Sequence, residues 1–163
     1  MKIRLLLCTL ALAIAPGLLL AQPPAPMGGG EKEPQTELGG KMEKIGGAFR
    51  KLRKVDPATK LAQIADPAKN EDSLKQIAII KDNATAAAQL EPALKAKKPA
   101  DEQEKFVAAF HDQMKNFLAD IDSLEAAVKA GKNDEAAKLV DKLNDDQKKG
   151  HTDFRPPPKK RNG

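Results

Sequence analysis

The chain has 163 residues, a formal net charge of +5 and five Phe, but no Trp or Tyr. Nucleic-acid-binding proteins present a strongly basic face with aromatic side chains on which bases stack, so this composition argues against that class. The single cysteine excludes an internal disulfide and argues against thiolate-bound zinc and iron–sulfur clusters.

Residues 1–21 have the pattern of a secretory signal peptide. Lys2 and Arg4 form a short basic segment, and the run that follows, to Ala21, is almost wholly apolar. The sequence therefore predicts a cleaved signal peptide, export to the periplasm and no membrane insertion after cleavage. Cys8 would leave with the signal. A lipoprotein interpretation of this cysteine is disfavoured because the apolar run continues well beyond it.

The rest of the chain divides into three segments by composition. Residues 22–35 are rich in Pro and Gly and are expected to be a disordered spacer. Residues 36–155 are rich in Ala, Lys, Leu, Glu and Asp, which is typical of an all-helical domain. Residues 156–163 form a basic, Pro-rich tail.

The first predicted helix begins after Thr36, a favourable N-cap. Two glycine pairs, Gly39-Gly40 and Gly46-Gly47, cost it about 1 kcal/mol per residue relative to Ala, so the helix depends on packing or on a ligand. Its apolar positions recur every three or four residues, as on one helix face. They are Leu38, Met42, Ile45, Phe49 and Leu52.

The second predicted helix follows a connection in which Asp56-Pro57 and Asp66-Pro67 each suit the start of a helical segment. The two stretches that begin at these aspartates resemble each other, which indicates a small local duplication. The helix is predicted from about Glu71 to Ala96, with Pro92 as the point at which it would kink.

The third predicted helix follows Pro99 and runs to about Ala130, where Gly131 is expected to end it. The fourth begins with Asn133 as its N-cap. The third carries the strongest periodic pattern in the chain, at Phe106, Phe110, Met114, Phe117, Ile121, Leu124 and Val128. The inner face of the fourth is expected to hold Ala136, Leu139 or Val140, Leu143, Gln147 and His151.

Four amphipathic helices with short connections predict an all-α, antiparallel up-down-up-down four-helix bundle. In that topology the start of helix 1 and the end of helix 4 share one end of the core, so Met42 and His151 are expected to meet there. A thioether and an imidazole are a ligand pair for a haem iron. However, a Met on an apolar stripe is commonly core filler, and a His in a last turn commonly interacts with the helix dipole.

The remaining residues give no sign of an active site. His111 follows Phe110 and is expected at the surface or flank of its helix. No Ser/His/Asp set, phosphate-binding glycine loop or carboxylate pair is recognisable, so the chain is not expected to be an enzyme.

The chain from Leu38 to Arg155 resembles the soluble periplasmic cytochrome b562 family. The resemblance is carried by Leu38-x3-Met42-Glu43, by Phe110 with Met114, Phe117 and Ile121, by Gly131-Lys132-x2-Glu135-Ala136, and by Leu143 with His151-x3-Arg155. It implies a bundle that holds one b-type haem, and therefore iron, with Met42 and His151 as its axial ligands. Gln147 and Gly150 stand where c-type relatives have cysteines, so the haem would be held without covalent bonds.

The walls of the haem pocket are predicted to be Phe106, Phe110 and Met114, with Ile45 covering the other edge. Lys148, Lys149 and Arg155 follow closely enough in sequence to meet the haem propionates. The family's usual second aromatic in helix 3 is replaced here by Met114, or else the aromatic pair is Phe106 and Phe110, shifted by one turn. Its usual aromatic before the ligand histidine is replaced by Gly150, and its usual arginine one turn before that histidine by Gln147.

These observations predict a monomeric electron-transfer protein that acts between redox partner proteins in the periplasm. A haem-free binding or scaffold bundle is the first alternative, favoured by Gln147 and Gly150. The second is a surface-associated module whose basic tail recruits an acidic partner or anionic headgroups.

Overall fold

The computed structural model describes residues 36–155, and within this range the chain forms four helices. They are α1 (Glu37–Leu52), α2 (Asn70–Ala87), α3 (Ala100–Lys129) and α4 (Asn133–Phe154). The described part contains no strand, and one isolated β-bridge joins Val55 to Ala62. The predicted all-α four-helix bundle is confirmed. The predicted signal peptide (1–21), spacer (22–35) and tail (156–163) lie outside the described residues.

The apolar stripes predicted for α1 and α3 are buried over most of their length, whereas His151, expected on the inner face of α4, is exposed. In α1, Thr36 caps the N-terminus by accepting a hydrogen bond from the Gly39 N–H at 3.0 Å. The side chains with no exposed surface come from all four helices and form one core: Ile45, Leu52, Ile80, Ala84, Ala87, Ile121, Leu124, Ala136 and Leu143. Phe49 and Phe117 meet edge to face inside it, with ring centroids 6.1 Å apart. Between Thr36 and Arg155, none of the helices is both long enough and apolar enough to cross a membrane.

Contacts between neighbouring helices run in opposite directions along the two chains. Between α3 and α4, Gln113 Nε2 donates to Asp146 O at 3.2 Å, and Asp120, seven residues later on α3, pairs with Lys142, which comes earlier on α4. Between α2 and α3, His111 lies against Leu90 and Lys81 pairs with Asp122 at 2.7 Å. Both orders are those of antiparallel helices.

Helix α2 ends at Ala87, so the prediction that it extends to Ala96 was wrong. Pro92 lacks a backbone N–H, and inside a helix its ring would clash with the carbonyl four residues earlier, which belongs to Ala88. The helix ends at Ala87, just before Ala88. Leu90 lies in the turn that follows, and Leu94 lies in a separate short 3₁₀ turn, Ala93–Lys97.

Helix α3 ends as the sequence predicts. Gly131 has a positive φ of 69°, its N–H donates to Val128 O at 3.0 Å, and the Lys132 N–H donates to Ala127 O at 2.9 Å. These two bonds form a Schellman motif, which favours glycine because a side chain strains the left-handed backbone.

Asn133 does not cap α4, contrary to prediction, but is the helix's first residue. Its buried side chain reaches the segment before α2 and the first residue of α2: Nδ2 donates to Ile64 O at 3.1 Å and to Asn70 Oδ1 at 2.6 Å. Both acceptors lie outside α4, so the Asn133 side chain forms hydrogen bonds across the end of the bundle and none with its own helix.

We expect Asn133→Ala to lower the free energy of unfolding by about 1–3 kcal/mol, because it leaves buried acceptors without their donor. Urea unfolding followed by circular dichroism measures the change. Asn116→Ala is the matched control, since Asn116 is exposed on α3. Equal losses in the two variants would contradict a structural role for the Asn133 bonds.

Candidate functional site

Helices α1 and α4 touch over a short stretch close to the predicted ligand pair. A Cβ atom added at Gly46 would lie 3.5 Å from Gln147 Nε2, and Arg53 Nη1 donates to Asn144 Oδ1 at 3.0 Å. The contact later in the sequence of α1 is made by the residue that comes earlier in α4, so these two helices are also antiparallel.

This register places Met42 and His151 at the same level of the bundle. Met42 lies four residues before Gly46 on α1, and His151 lies four residues after Gln147 on α4. Each step is about one helical turn, roughly 6 Å of rise along the same face. In an antiparallel pair both steps lead towards the same end of the bundle.

The two predicted ligands differ in their surroundings. Met42 is half-buried and packs against the edge of the core. His151 is exposed at the surface of the last turn of α4. Partial desolvation of its imidazole, and then the nearby guanidinium of Arg155, lower the pKa of His151 below its ordinary value. Both causes favour the neutral ring, which is the form that binds a metal.

The lowered pKa of His151 makes the fold less stable in acid. As the pH falls through about 6.5, the unfolded chain binds a proton at this histidine before the folded chain does, so the free energy of unfolding decreases. We expect Arg155→Gln to raise the pKa of His151, as measured by NMR titration of the ring protons.

The control for this titration is Lys132→Gln, which removes one positive charge at the other end of α4. That position is roughly 28 Å from His151 by helical rise, well beyond the screening length of about 10 Å at 0.1 M salt. An equal rise of the His151 pKa in both variants would show that net charge, and not Arg155, lowers it.

Three phenylalanines pack together at the end of the bundle that holds His151. Phe154 lies on α4 one turn after His151, and its ring centroid is 5.2 Å from that of Phe106 and 5.3 Å from that of Phe110. Lys98 Nζ lies 4.9 Å from the centroid of the Phe106 ring. Phe110 is buried and Phe106 is half-buried.

Phe154 is a site residue that the sequence analysis missed. It continues the inner stripe of α4 beyond Leu143, Gln147 and His151, at the helical spacing of three residues from the histidine. That spacing was the available signal. The run of prolines that follows marks the end of the helix but carries no information on the face where Phe154 lies.

The other two predicted wall residues belong to the core. Ile45 has no exposed surface, and Met114 is 5% exposed, one turn beyond Phe110 on α3. They extend the apolar interior from the bundle centre towards the level of Met42 and His151. Whether they contact a haem stays a prediction.

The space beside Gly150 is taken by a neighbouring side chain. A Cβ atom added at Gly150 would lie 3.1 Å from Gln113 Nε2, the amide that also bonds to α4 at Asp146 O. Gln113 therefore covers part of the helix where the family resemblance leads one to expect an aromatic ring. The Gln113 amide thus lies beside Gly150, where an aromatic ring is expected.

The basic residues predicted to meet the haem propionates have different partners. Lys148 Nζ pairs with Asp145 Oδ1 at 2.8 Å, and Lys149 pairs with Asp153. In the described part of the chain, Arg155 forms no ion pair. Of the three, Arg155 is the one whose charge is not already offset by a carboxylate.

The donors at this end of the bundle suit a haem iron. A thioether sulfur and an imidazole nitrogen are presented at one level from two helices that touch only over a short stretch. Phe106, Phe110 and Phe154 supply apolar surface on the α3 side of the histidine. Over residues 36–155, no group of three or more His, Cys, Asp or Glu side chains forms another candidate metal site.

Comparison with known proteins gives one match. The profile of the protein family described as Cytochrome b562 matches residues 37–155, nearly the whole described range. Neither a curated protein nor a solved structure matches the chain.

Proposed function

Because the chain belongs to the cytochrome b562 family, we propose that it binds one b-type haem without covalent attachment and transfers single electrons between redox partner proteins in the periplasm. The family is one of haem-binding electron carriers, and in this proposal the chain is not an enzyme. The observation that carries the assignment to particular residues is the register of α1 and α4, with Gly46 against Gln147, which brings Met42 level with His151.

In this proposal Met42 and His151 would hold the haem iron. The bound haem would supply a reversible one-electron change, and ligation by His and Met favours a relatively high reduction potential. Phe106, Phe110 and Phe154 would cover the α3 side of the site and keep that side apolar. Gln113 restricts access along the Gly150 face of α4.

Arg155 has two roles in the proposal. Its guanidinium disfavours the protonated form of His151, which keeps the imidazole available as a ligand. Of the three basic residues predicted to meet the propionates, it is also the one without a carboxylate partner in the described range, so it is the best candidate among them to hold a haem propionate.

Titration of the purified mature protein with haemin tests the proposal. We expect saturation at one haem per chain and, after reduction, the sharp visible bands of six-coordinate low-spin iron. The broad spectrum of loosely bound haemin in the wild-type protein would overturn it.

A haem-free bundle is the second candidate, and two observations favour it. His151 is exposed, and Phe154 already packs onto Phe106 and Phe110, so this end of the bundle has an apolar contact of its own. A haem-free protein is expected to show the same thermal unfolding with and without haemin. A ligand that binds the folded state alone raises the unfolding temperature in proportion to the logarithm of its concentration.

A further inference from the structure

A groove of about 480 Å³ lies between α1 and α2, away from the face of α1 that carries Gly46 against α4. One side carries a dense set of positive charges from α1 and from Lys54, two residues after its end, and the α2 side carries Gln76 and Ile79. The cations are Lys44, Arg50, Lys51 and Lys54.

None of these four cations has an ion-pair partner among residues 36–155. Other lysines on α2 behave differently. Lys75 pairs with Glu71 at 2.9 Å, and Lys81 pairs with Asp122 at 2.7 Å and with Glu125 at 3.0 Å. The groove therefore holds four cations without a carboxylate partner, next to an α2 helix whose Lys75 and Lys81 are paired.

The second glycine pair of α1, Gly46-Gly47, leaves room for one of these cations, Arg50. A Cβ atom added at Gly46 would lie 3.7 Å from Arg50 Nη1, and one added at Gly47 would lie 3.8 Å from Arg50 Nη2. The guanidinium thus lies against the helix where side chains are absent. It carries five N–H donors and has no carboxylate partner within the described range.

The α2 side of the groove adds an apolar surface and a polar group without a partner. Ile79 is 40% exposed, one of the largest apolar exposures in the described range. The side-chain Oε1 atom of Gln76 is buried and has no hydrogen-bond partner in the described range.

We propose that this groove docks an acidic segment of a partner protein that carries an apolar side chain. The carboxylates of the segment would pair with the four cations, and its apolar side chain would cover Ile79. Complementary charge fits a transient partner because it speeds association and selects among partners more than it adds affinity.

The composition of the groove favours a protein segment over a membrane surface. Surface-binding helices insert several apolar side chains among the lipid headgroups. Only Ile79 supplies a large exposed apolar side chain to the groove.

The docking itself does not depend on haem, but naming the docked protein as the electron-transfer partner rests on the proposed function. The groove begins at Lys44, two residues after Met42 on the same helix. A partner bound there would lie beside the helix that carries the proposed thioether ligand.

NMR of the ¹⁵N-labelled mature chain, with and without haemin, tests the docking. The probe is a synthetic peptide, Glu-Glu-Leu-Glu-Glu, added at low ionic strength. We expect saturable shifts of the Gly47, Gln76 and Ile79 signals in both forms, and their loss at 0.5 M salt, since screening then acts over about 4 Å. Shifts spread over all basic surfaces, or absent from the groove, would overturn the proposal.

Two pairs of charge reversals separate the groove from net charge. We expect Lys51→Glu with Lys54→Glu to weaken peptide binding roughly tenfold. Lys105→Glu with Lys115→Glu changes the net charge equally, at exposed positions of α3, and is expected to leave binding within about twofold. Equal losses in the two double variants would overturn the groove as the docking site.

Two further measurements complete the test. Ile79→Ser is expected to weaken peptide binding while helix content stays unchanged by circular dichroism. Vesicles of phosphatidylglycerol are expected not to shift the groove signals. If the vesicles shift them and the peptide does not, the groove binds lipid headgroups and the protein-docking proposal fails. A spectrum of loosely bound haemin, together with groove-specific peptide binding, would overturn the electron-transfer role alone.

Discussion

His151→Ala is expected to abolish the low-spin haem spectrum, whereas His111→Ala leaves it intact. Loss of an axial ligand should weaken haem binding by more than roughly a hundredfold, the upper range seen when only a supporting group around a metal is removed. Absorption spectra of the reduced protein over a haemin titration measure both the band shape and the affinity.

The two histidines form a natural pair of variants because both are exposed and both lie on helices. His111 has its Nε2 atom 3.3 Å from Leu90 O, on the α2 side of α3. It does not lie at the contact between α1 and α4. Met42→Ala is expected to resemble His151→Ala, with the same loss of low-spin bands. A wild-type spectrum in His151→Ala would remove this histidine from the site.

Ile80→Ala is expected to lower the free energy of unfolding by about 2–5 kcal/mol, the range for removing a large side chain from a packed core. Ile80 has no exposed surface and lies where α2 meets the other helices. Urea unfolding at constant pH measures the change, preferably on the haem-free protein so that ligand binding does not add to stability.

The neighbouring Ile79 is the matched control for this measurement. Its side chain is 40% exposed, so Ile79→Ala should cost less than about 1 kcal/mol. The same chemical change at adjacent positions then differs only in burial. Equal costs at the two positions would contradict the described orientation of α2.

The periodicity of apolar residues predicted most of the fold. In α3, Phe110, Met114, Phe117, Ile121, Leu124 and Val128 are buried as predicted, and Phe106 is half-buried. In α1, Ile45, Phe49 and Leu52 are buried. The prediction succeeded because one face of each helix in a bundle is apolar over its whole length. Apolar residues therefore recur at helical spacing many times along the sequence.

Local rules failed where two effects compete. Pro92 permitted either a kink or an end, and the helix ends at Ala87, before the turn that leads to the proline. At Asn133, a capping bond to its own helix competed with bonds to Ile64 O and Asn70, and the bonds across the bundle end were formed. Such choices depend on partners distant in sequence.

By itself, the sequence determined the number of helices, most of the apolar positions that α1 and α3 bury, the glycine that ends α3 and the family to which the chain belongs. Only the tertiary structure decided which side chains meet: Phe154 with Phe106 and Phe110, Gln113 beside Gly150, and four unpaired cations in one groove. The physical reason is that helix formation and burial follow from spacing along one chain segment. Contacts between helices depend on their register, which is set by the packing of the whole bundle.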